Sequence, residues 1–261
     1  MITSLANDKV RYARSLGRRR TRYEEGRFCV EGLRLVADAW RAGIFPAFVF
    51  YTPDSPAARE GAALLDALDA AGVPCYAAAS HVLQALSDTV TPQGIVAVLP
   101  LPAPQTMSRP TLALVLDEVR DPGNLGAMLR VAAGAGVDQH CLGPGTVDPF
   151  NAKTLRAGMG AHFRVRLAWG TWEQIRDAIQ GMTVWLAAGQ GELRYDEVDW
   201  TRPSALIIGS EAHGASTSAI VLADGRIRIP LANDVESLNA AVAAGVILFE
   251  AVRQRRQRGQ V

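Results

Sequence analysis

The 261-residue chain has few of the residues that would tie it to a metal or to an oxidising compartment. Its three cysteines, Cys29, Cys75 and Cys141, are odd in number and lack metal-ligand spacing, so we expect free thiols in a reducing compartment. Its four histidines include no H-x-x-x-H pair. We therefore predict that the protein has no metal site.

The sequence also has no long hydrophobic run. The longest apolar stretch, Ala240 to Phe249, is well short of the about 20 residues that a membrane-spanning helix needs. No basic-then-apolar leader opens the chain. We expect a cytoplasmic protein without a membrane anchor, or an organellar protein from which a transit peptide has been removed.

The chain also has no large excess of positive or negative charge, since its net charge is only +1. This value excludes a uniformly basic nucleic-acid-binding surface but not local basic patches. Residues 9–27 carry eight lysine and arginine side chains against two glutamates, and a second basic cluster lies at 253–258. Such clusters attract phosphate backbones. The alternative is that each cluster is a solvated helix face.

Proline content changes sharply once along the chain. Four prolines fall within residues 100–110, where they disfavour both helix and central strand. We predict a linker at 101–110 between an N-terminal α/β domain, 1–100, and a second domain, 111–261. In the second domain, the apolar run Leu112 to Leu116 is typical of a parallel strand that is covered on both faces.

The spacing of apolar residues predicts a long final helix that begins near Val235. Val235, Leu238, Val242, Val246, Phe249 and Val252 follow helical spacing, so we expect this stripe to lie in the core. Local patterns also predict one helix over 57–71, a strand over 163–167 and a helix over 172–181 that Thr171 caps.

Glycine fingerprints for nucleotide binding are missing. The loop after Asp117 contains neither G-x-G-x-x-G nor G-x-x-x-x-G-K-[ST], which counts against nicotinamide dehydrogenases and nucleotide hydrolases. The loop instead contains Asp121-Pro-Gly-Asn124, followed by Arg130. We interpret Asn124 as suited to a helix start.

Two further segments have a composition suited to a ligand site. Gly209-Ser-Glu-Ala-His-Gly214 follows an apolar strand, and Ile229-Pro230 precedes Ser237-Leu238-Asn239. Ser237 and Asn239 would lie in the first turns of the final helix, where they either cap backbone groups or meet a ligand. Each segment alone is also compatible with an ordinary turn or cap.

The three segments together, in this order, resemble the signature motifs of the SpoU/TrmH family of RNA 2′-O-ribose methyltransferases, within the SPOUT superfamily. The resemblance covers Thr111 to about Arg256. It implies an α/β domain with a parallel sheet and a deep trefoil knot, a homodimer, and S-adenosylmethionine as cofactor. The residues implied to bind that cofactor are Ala188, Gly189, Gly209, Ile229, Leu231 and Leu238.

The N-terminal domain resembles the ribosomal-protein-like substrate-binding domain of the same family, through Phe28-Cys-Val-Glu-Gly32. This resemblance favours ribosomal RNA over tRNA as the substrate. We accordingly predict that the densest part of the N-terminal basic cluster contacts RNA phosphates, namely Arg18, Arg19, Arg20 and Arg22. The alternative function is a non-catalytic RNA-binding or ribosome-assembly protein on the same fold.

The resemblance further implies that the reaction depends on Arg130, Asn124, Glu211, Ser237 and Asn239. The family account makes the arginine the base, but a guanidinium is protonated throughout the physiological pH range. We expect instead that Arg130 binds a phosphate or the developing alkoxide and orients the hydroxyl. Glu211 or water would then assist a late deprotonation.

Overall fold

The computed structural model describes residues 1–211 and 213–260. Its internal contacts divide the chain into two compact units. The first unit contains residues 1–103 together with 150–163, and the second contains 104–149 and the residues from 164 onward. Sequence reasoning did not foresee that 150–163 belong with the first unit. The proposed domain limits at 100 and 111 remain a prediction.

The first unit is built on a four-stranded sheet of order β1-β4-β2-β3. Its elements up to residue 100 are α1 (Asp8–Ser15), α2 (Arg19–Glu25), β1 (Arg27–Glu31), α3 (Leu33–Arg41), β2 (Phe48–Tyr51), α4 (Pro56–Glu60), α5 (Ala62–Ala70), β3 (Cys75–Ala77), α6 (Ser80–Gln84) and β4 (Ile95–Pro100). The central strand β4 is antiparallel to β1 and β2, and β3 is parallel to β2. Val10, Phe48 and Phe50 belong to the core of this unit.

The second unit is built on a seven-stranded sheet of order β7-β6-β5-β10-β8-β11-β9. After β5 (Leu112–Leu116), α7 (Pro122–Gly134) and β6 (Gln139–Leu142), the chain forms α8 (Ala152–Gly158) in the first unit. It continues with β7 (Leu167–Trp169), α9 (Trp172–Ala178), β8 (Thr183–Ala187), β9 (Leu193–Arg194), β10 (Ser204–Ile208), α10 (Thr217–Leu222), β11 (Gly225–Arg228) and α11 (Ala240–Gln257).

Every pair of neighbouring strands in this second sheet is parallel, which confirms the predicted α/β class. All residues of β5 and β10 are buried, as expected for parallel strands that are covered on both faces. Among the described residues, no helix combines the length and the apolar character needed to cross a bilayer.

Several local predictions differ from the structure. Helix α2 was not predicted, because its polar sequence has no apolar periodicity. The single helix expected over 57–71 is divided at Gly61, where a Cβ atom would lie 2.5 Å from the side chain of Leu33. The strand expected over 163–167 is wrong: residues 161–163 form a 3₁₀ turn and the strand begins at Leu167.

The face that the final helix buries agrees with the predicted stripe at Val252 but differs from it along most of the helix. It begins at Ala240 rather than Val235, and its buried side includes Ala244, Ile247 and Leu248. The predicted core residues Val242, Val246 and Phe249 are 52%, 36% and 50% exposed. Helix α11 packs against α7, where a Cβ atom at Gly245 would lie at van der Waals distance, 3.5 Å, from Val131. Periodicity identified an apolar stripe but could not show which stripe this chain buries.

The basic cluster at the end of α11 is not a continuous charged surface. Arg255 is buried, and its guanidinium donates hydrogen bonds to Thr111 Oγ1 at 2.9 Å, to Thr111 O at 2.6 Å and to Trp200 O at 2.9 Å. Burial lowers the pKa of Arg255. The side chain of Arg253 pairs with Glu250 at 2.7 Å. Arg255 therefore fastens the last helix to the start of β5 and is not available to a phosphate.

Candidate active site

The three motifs meet at one edge of the second sheet. The first follows β5, the second follows β10 and the third follows β11, while the 188–192 loop follows β8. These four strands are consecutive in the sheet and parallel, so their carboxyl ends lie along the same edge. In open α/β sheets this edge is where ligands bind.

The first motif begins α7 with an aspartate cap. Asp121 Oδ1 accepts a hydrogen bond from the backbone N–H of Asn124 at 2.9 Å, and Pro122 occupies the first helical turn. Asn124 therefore lies in the first turn of α7, as expected for a residue suited to a helix start, but it does not cap the helix. Because Asp121 caps the helix, the side-chain amide of Asn124 makes contacts elsewhere.

Asn124 joins the other two motifs through its side chain. Its Nδ2 donates a hydrogen bond to the carboxylate of Glu211, and its Oδ1 accepts one from Asn239 Nδ2 at 3.0 Å. The oxygen of Asn239 caps α11 by accepting from the backbone N–H of Ala241 and Val242, at 3.0 and 3.3 Å. The three motif residues thus form one hydrogen-bonded relay, and Asn239 precedes the final helix rather than lying within it.

The second motif turns sharply at Gly209. A Cβ atom there would lie 2.8 Å from the backbone of Gly214 and Ala215, so only glycine fits. Ser210 and Gly214 exchange two backbone hydrogen bonds of 2.9 Å across the turn. This tight turn directs Glu211 towards Asn124.

Arg130 and Ser237 are not hydrogen-bonded to the relay. Both are exposed, and neither side chain has a hydrogen bond or ion pair within the part of the chain that the structure describes. Arg130 lies on α7 beyond Asn124, so its guanidinium is free to meet an anionic group.

The residues predicted to bind cofactor belong to the loops after β8, β10 and β11. The N–H of Ala188 donates to Ile227 O at 2.9 Å, and a Cβ atom at Gly189 would lie 3.9 Å from Glu236 O. The 188–192 loop therefore lies against β11 and the third motif.

These loops offer unpaired backbone groups to a ligand. The N–H groups of Gly189, Leu231 and Leu238 have no partner among the described residues. Leu231 is 38% exposed, and Ile229 is half-buried beside it. Exposed apolar side chains beside free backbone donors fit a small molecule that has both apolar and polar parts.

Sequence reasoning missed two residues that support the site. The guanidinium of Arg228 donates to Gly191 O and to Glu192 O, the latter at 3.0 Å, and so holds the 188–192 loop. Asp117 Oδ2 accepts from the backbone N–H of Ser216 at 2.6 Å behind the second motif. Burial raises the pKa of Asp117. Nothing in the local sequence indicates these roles, because their partners are distant along the chain.

A small cleft opens between the first two motifs. It has a volume of about 240 Å³, and its lining includes Arg120, Asp121, Glu211 and His213. Arg120 forms a 2.8 Å ion pair with Glu118 and remains largely exposed. Arg120 therefore adds a positive charge beside Glu211 that the motif pattern did not predict.

Within residues 1–211 and 213–260, no three histidine, cysteine, aspartate or glutamate side chains are grouped as metal ligands.

The predicted RNA-binding arginines lie in the first unit and differ in exposure. Arg18, Arg19 and Arg20 are exposed at the start of α2, where Arg20 pairs with Glu24 at 2.6 Å. Arg22 is only 4% exposed, and its guanidinium donates to the backbone oxygens of residues 16 and 17 at 2.7 and 2.8 Å. The prediction that Arg22 contacts phosphate is inconsistent with this burial.

The architecture defines an α/β protein whose ligand site is assembled from loops at the carboxyl ends of parallel strands. Residues 111–249 match the model of the SpoU rRNA Methylase family, and residues 7–97 match the MRM3-like substrate binding domain. The chain belongs to the SpoU rRNA methylase family, which confirms the resemblance found in its motifs.

Relatives of this chain align along nearly its whole length. It is 32% identical over 251 residues to the 23S rRNA (guanosine(2553)-2′-O)-methyltransferase RlmP of Bacillus subtilis, covering 95% of this chain and 97% of the relative. It is 35% identical over 299 residues to the mitochondrial rRNA methyltransferase 3 of Mus musculus, covering 90% and 69%.

Solved structures show the same similarity. The SpoU methyltransferase AviRb from Streptomyces viridochromogenes, in complex with the cofactor AdoMet, superposes with a TM-score of 0.88 at 27% identity. The superposition covers 96% of this chain and 98% of that one.

The side chain of Asn239 caps α11 and also donates to Asn124, and substitutions can test the two roles separately. Serine caps a helix about as well as asparagine but is too short to reach Asn124, whereas alanine does neither. We expect Asn239→Ala to be about 1 kcal/mol less stable than Asn239→Ser in urea unfolding. Ser237→Ala is the control and should unfold like the wild type. Equal stability of the two Asn239 variants would contradict the capping role.

Proposed function

We propose that this protein transfers the methyl group of S-adenosylmethionine to the 2′-hydroxyl of a ribose in ribosomal RNA. The observation that carries this proposal is the relay between Asn124, Glu211 and Asn239, with the exposed Arg130 further along the same helix as Asn124. Family membership and the rRNA methyltransferase names of the relatives support the same reaction and substrate class.

The cofactor-binding part of the proposal rests on the loops after β8, β10 and β11. S-adenosylmethionine, when bound, supplies a methyl group on a positively charged sulfur. Backbone groups of Gly189, Leu231 and Leu238 would hold it, together with those of Ala188, Gly209 and Ile229. Arg228 keeps the 188–192 loop in place through its bonds to Gly191 O and Glu192 O.

Arg130 acts on the RNA as a positively charged donor rather than as a base. A planar guanidinium binds a phosphate or a developing alkoxide through parallel hydrogen bonds and orients the attacking hydroxyl. A guanidinium carries a positive charge, which stabilises the negative charge that forms on the ribose oxygen in the transition state.

Glu211 is the acceptor for the ribose proton, directly or through water. One of its carboxylate oxygens takes the hydrogen bond from Asn124, which fixes the side chain and leaves the other oxygen for the ribose. Asn239 fixes Asn124 in turn, and Ser237 positions the loop that brings these residues to the RNA.

Arg130→Lys tests whether charge alone is sufficient. We expect Arg130→Lys and Arg130→Ala both to lose about 100-fold or more in methyl transfer to ribosomal RNA, since lysine offers only a point charge. Cofactor affinity, measured by calorimetry, should stay within about twofold. Arg176→Lys, an exposed arginine on α9, is the control and should remain fully active. A lysine variant that retained most activity would show that a planar donor is not needed.

We also propose that the second unit contains a deep trefoil knot. The chain between β8 and β10 lies across later segments: a Cβ atom at Gly191 would be 2.4 Å from Ile227, and Trp200 O accepts from Arg255. A loop in contact with both β11 and α11 supports passage of the terminal segment through it.

We further propose a homodimer formed through the exposed apolar face of α11. Val242, Val246 and Phe249 recur at intervals of four and three residues and are 36–52% exposed. Adjacent α7 adds Gly134, where a Cβ atom would lie 4.0 Å from the Phe249 ring. A contiguous apolar helix face of this kind marks an interface, and a second copy of the same face would bury it.

Phe249→Asp tests this interface. Burying a carboxylate in an apolar interface should weaken self-association by about 2 kcal/mol or more and shift the protein towards monomer in sedimentation velocity. Val221→Asp replaces a 78% exposed apolar residue on α10 and is the matched control. A monomeric wild type, or a Phe249→Asp dimer as stable as the control, would contradict the proposal.

The exposed arginines of α2 are proposed to contact RNA phosphates. Replacing Arg18, Arg19 and Arg20 by glutamine should reduce the salt slope of RNA binding by up to about two units, at about 0.7 for each phosphate contact. Target choice and cofactor affinity should not change, because phosphate contacts position rather than specify. An unaltered slope would mean that the cluster is a solvated helix face.

The place of action follows from the substrate. We propose that the protein acts in the compartment where its ribosomal RNA is assembled, which for a bacterial-type enzyme is the cytoplasm. A mitochondrial relative exists in mouse. The three cysteines are free thiols, as suits a reducing compartment.

A further inference from the structure

The segment that connects β9 to β10, residues 195–203, contacts the end of the final helix. Within it, Trp200 is fully buried and Val198 is only 4% exposed. Gln254 of α11 holds both residues: its Nε2 donates to Val198 O at 3.0 Å, and its Oε1 accepts from the backbone N–H of Trp200 at 3.0 Å. Arg255 donates to Trp200 O at 2.9 Å. The end of α11 therefore fixes the position of Trp200.

Trp200 in turn holds the beginning of the 195–203 segment. Its indole Nε1 donates to Tyr195 O at 2.8 Å. The backbone N–H of Tyr195 donates to Arg228 O at 3.0 Å, at the end of β11. The indole N–H thus joins the part of the segment that α11 fixes to the part that lies beside β11.

Arg228 continues this series of hydrogen bonds to the 188–192 loop. Its guanidinium donates to Gly191 O and to Glu192 O. The same loop carries Gly189, whose backbone N–H is proposed to hold the cofactor. Hydrogen bonds therefore connect the end of α11 to the cofactor-binding loop, although no sequence motif includes the end of this helix.

We propose that Gln254 positions the 188–192 loop through Trp200 and thereby sets the affinity for S-adenosylmethionine. The side-chain hydrogen bonds of Gln254 go to Val198, Trp200 and Glu250, which lie outside the three motifs. Gln254 is therefore a positioning residue and not a catalytic one. This inference rests on the proposed function and extends it to a residue at the far end of α11.

The physical reason is preorganisation of the loop. A loop that is already fixed loses less conformational freedom when a ligand binds. Without the hydrogen bonds of Gln254, the 195–203 segment and the Arg228 backbone that it contacts are held less firmly. The 188–192 loop then spends less time in the conformation that binds the cofactor, and the apparent affinity falls by that fraction. The chemical step should not change, because the catalytic relay belongs to other loops.

The test interrupts the series of hydrogen bonds at two points. Gln254→Ala removes both bonds from α11 to the segment, and Trp200→Phe removes the indole N–H while it keeps a buried aromatic ring. Gln257→Ala is the matched control, because Gln257 is exposed on the same helix and its side chain has no hydrogen bond among the described residues. Calorimetry with the full-length chain gives the affinity for S-adenosylmethionine, and methyl transfer to ribosomal RNA gives kcat and the KM for the cofactor.

We expect Gln254→Ala and Trp200→Phe each to weaken cofactor binding by about fivefold and to raise the KM for the cofactor, with kcat within about twofold of the wild type. Because both substitutions act on one series of bonds, the double variant should also be about fivefold weaker and not about 25-fold. Two unrelated losses of packing would instead add in free energy and give the larger value. Gln257→Ala should bind the cofactor as the wild type does.

Three results would overturn the inference. They are wild-type affinity in the folded single variants, a double variant whose loss is the product of the single losses, and a lowered kcat with an unchanged KM. If Gln254→Ala does not fold, the affinity of the milder Trp200→Phe decides alone. If the wild type binds the cofactor and methylates RNA while the variants bind normally, only this inference fails. If the wild type binds no cofactor, the proposed function fails with it.

Discussion

The candidate site depends on one hydrogen-bonded relay, from Asn239 through Asn124 to Glu211. Each residue belongs to a different motif and follows a different strand, so the relay links three loops by hydrogen bonds. Asn239 also caps α11, because its side-chain oxygen accepts hydrogen bonds from two backbone N–H groups of that helix. A change at this residue therefore affects both the start of the last helix and the position of Glu211. Parallel strands already bring the three loops to one edge of the sheet. The loops therefore lose little further conformational freedom when the relay forms.

Helix α11 extends this constraint along the second unit. Its first residues are fixed beside Asn124, which follows β5, and its far end is fixed by Arg255 at Thr111, which precedes β5. The helix therefore spans the strand from end to end. Its alanine-rich side packs against α7, while Val242 and Phe249 face outward. Helix α11 thus supports the candidate site at its first residues and packs into the core along its buried side. Its exposed apolar side is the surface proposed to contact a second copy of the chain.

Alternating elements allowed the α/β class and the parallel sheet to be predicted from the sequence. The family resemblance pointed to Asn124, Glu211 and Asn239, which the structure joins by hydrogen bonds. Burial could not be predicted in the same way. Arg22 belongs to an apparently exposed basic run, yet it is buried against backbone oxygens of its own segment. Phe249 fits a core stripe by periodicity but lies outside the core of this chain. For Phe249 the outcome depends on how α11 packs against the rest of the unit, and for Arg22 it depends on how residues 16 and 17 turn back towards α2. Charge and spacing specify neither.

The central claim is that these loops form a site for methylating ribose in ribosomal RNA. The most direct measurement incubates the protein with unmodified ribosomal RNA and S-adenosylmethionine that carries a tritium-labelled methyl group, and then hydrolyses the RNA with alkali. A 2′-O-methyl group blocks cleavage of the adjacent phosphodiester, so the account predicts label in alkali-resistant dinucleotides. Label confined to mononucleotides, which would indicate a methylated base, or RNA without label, would contradict it.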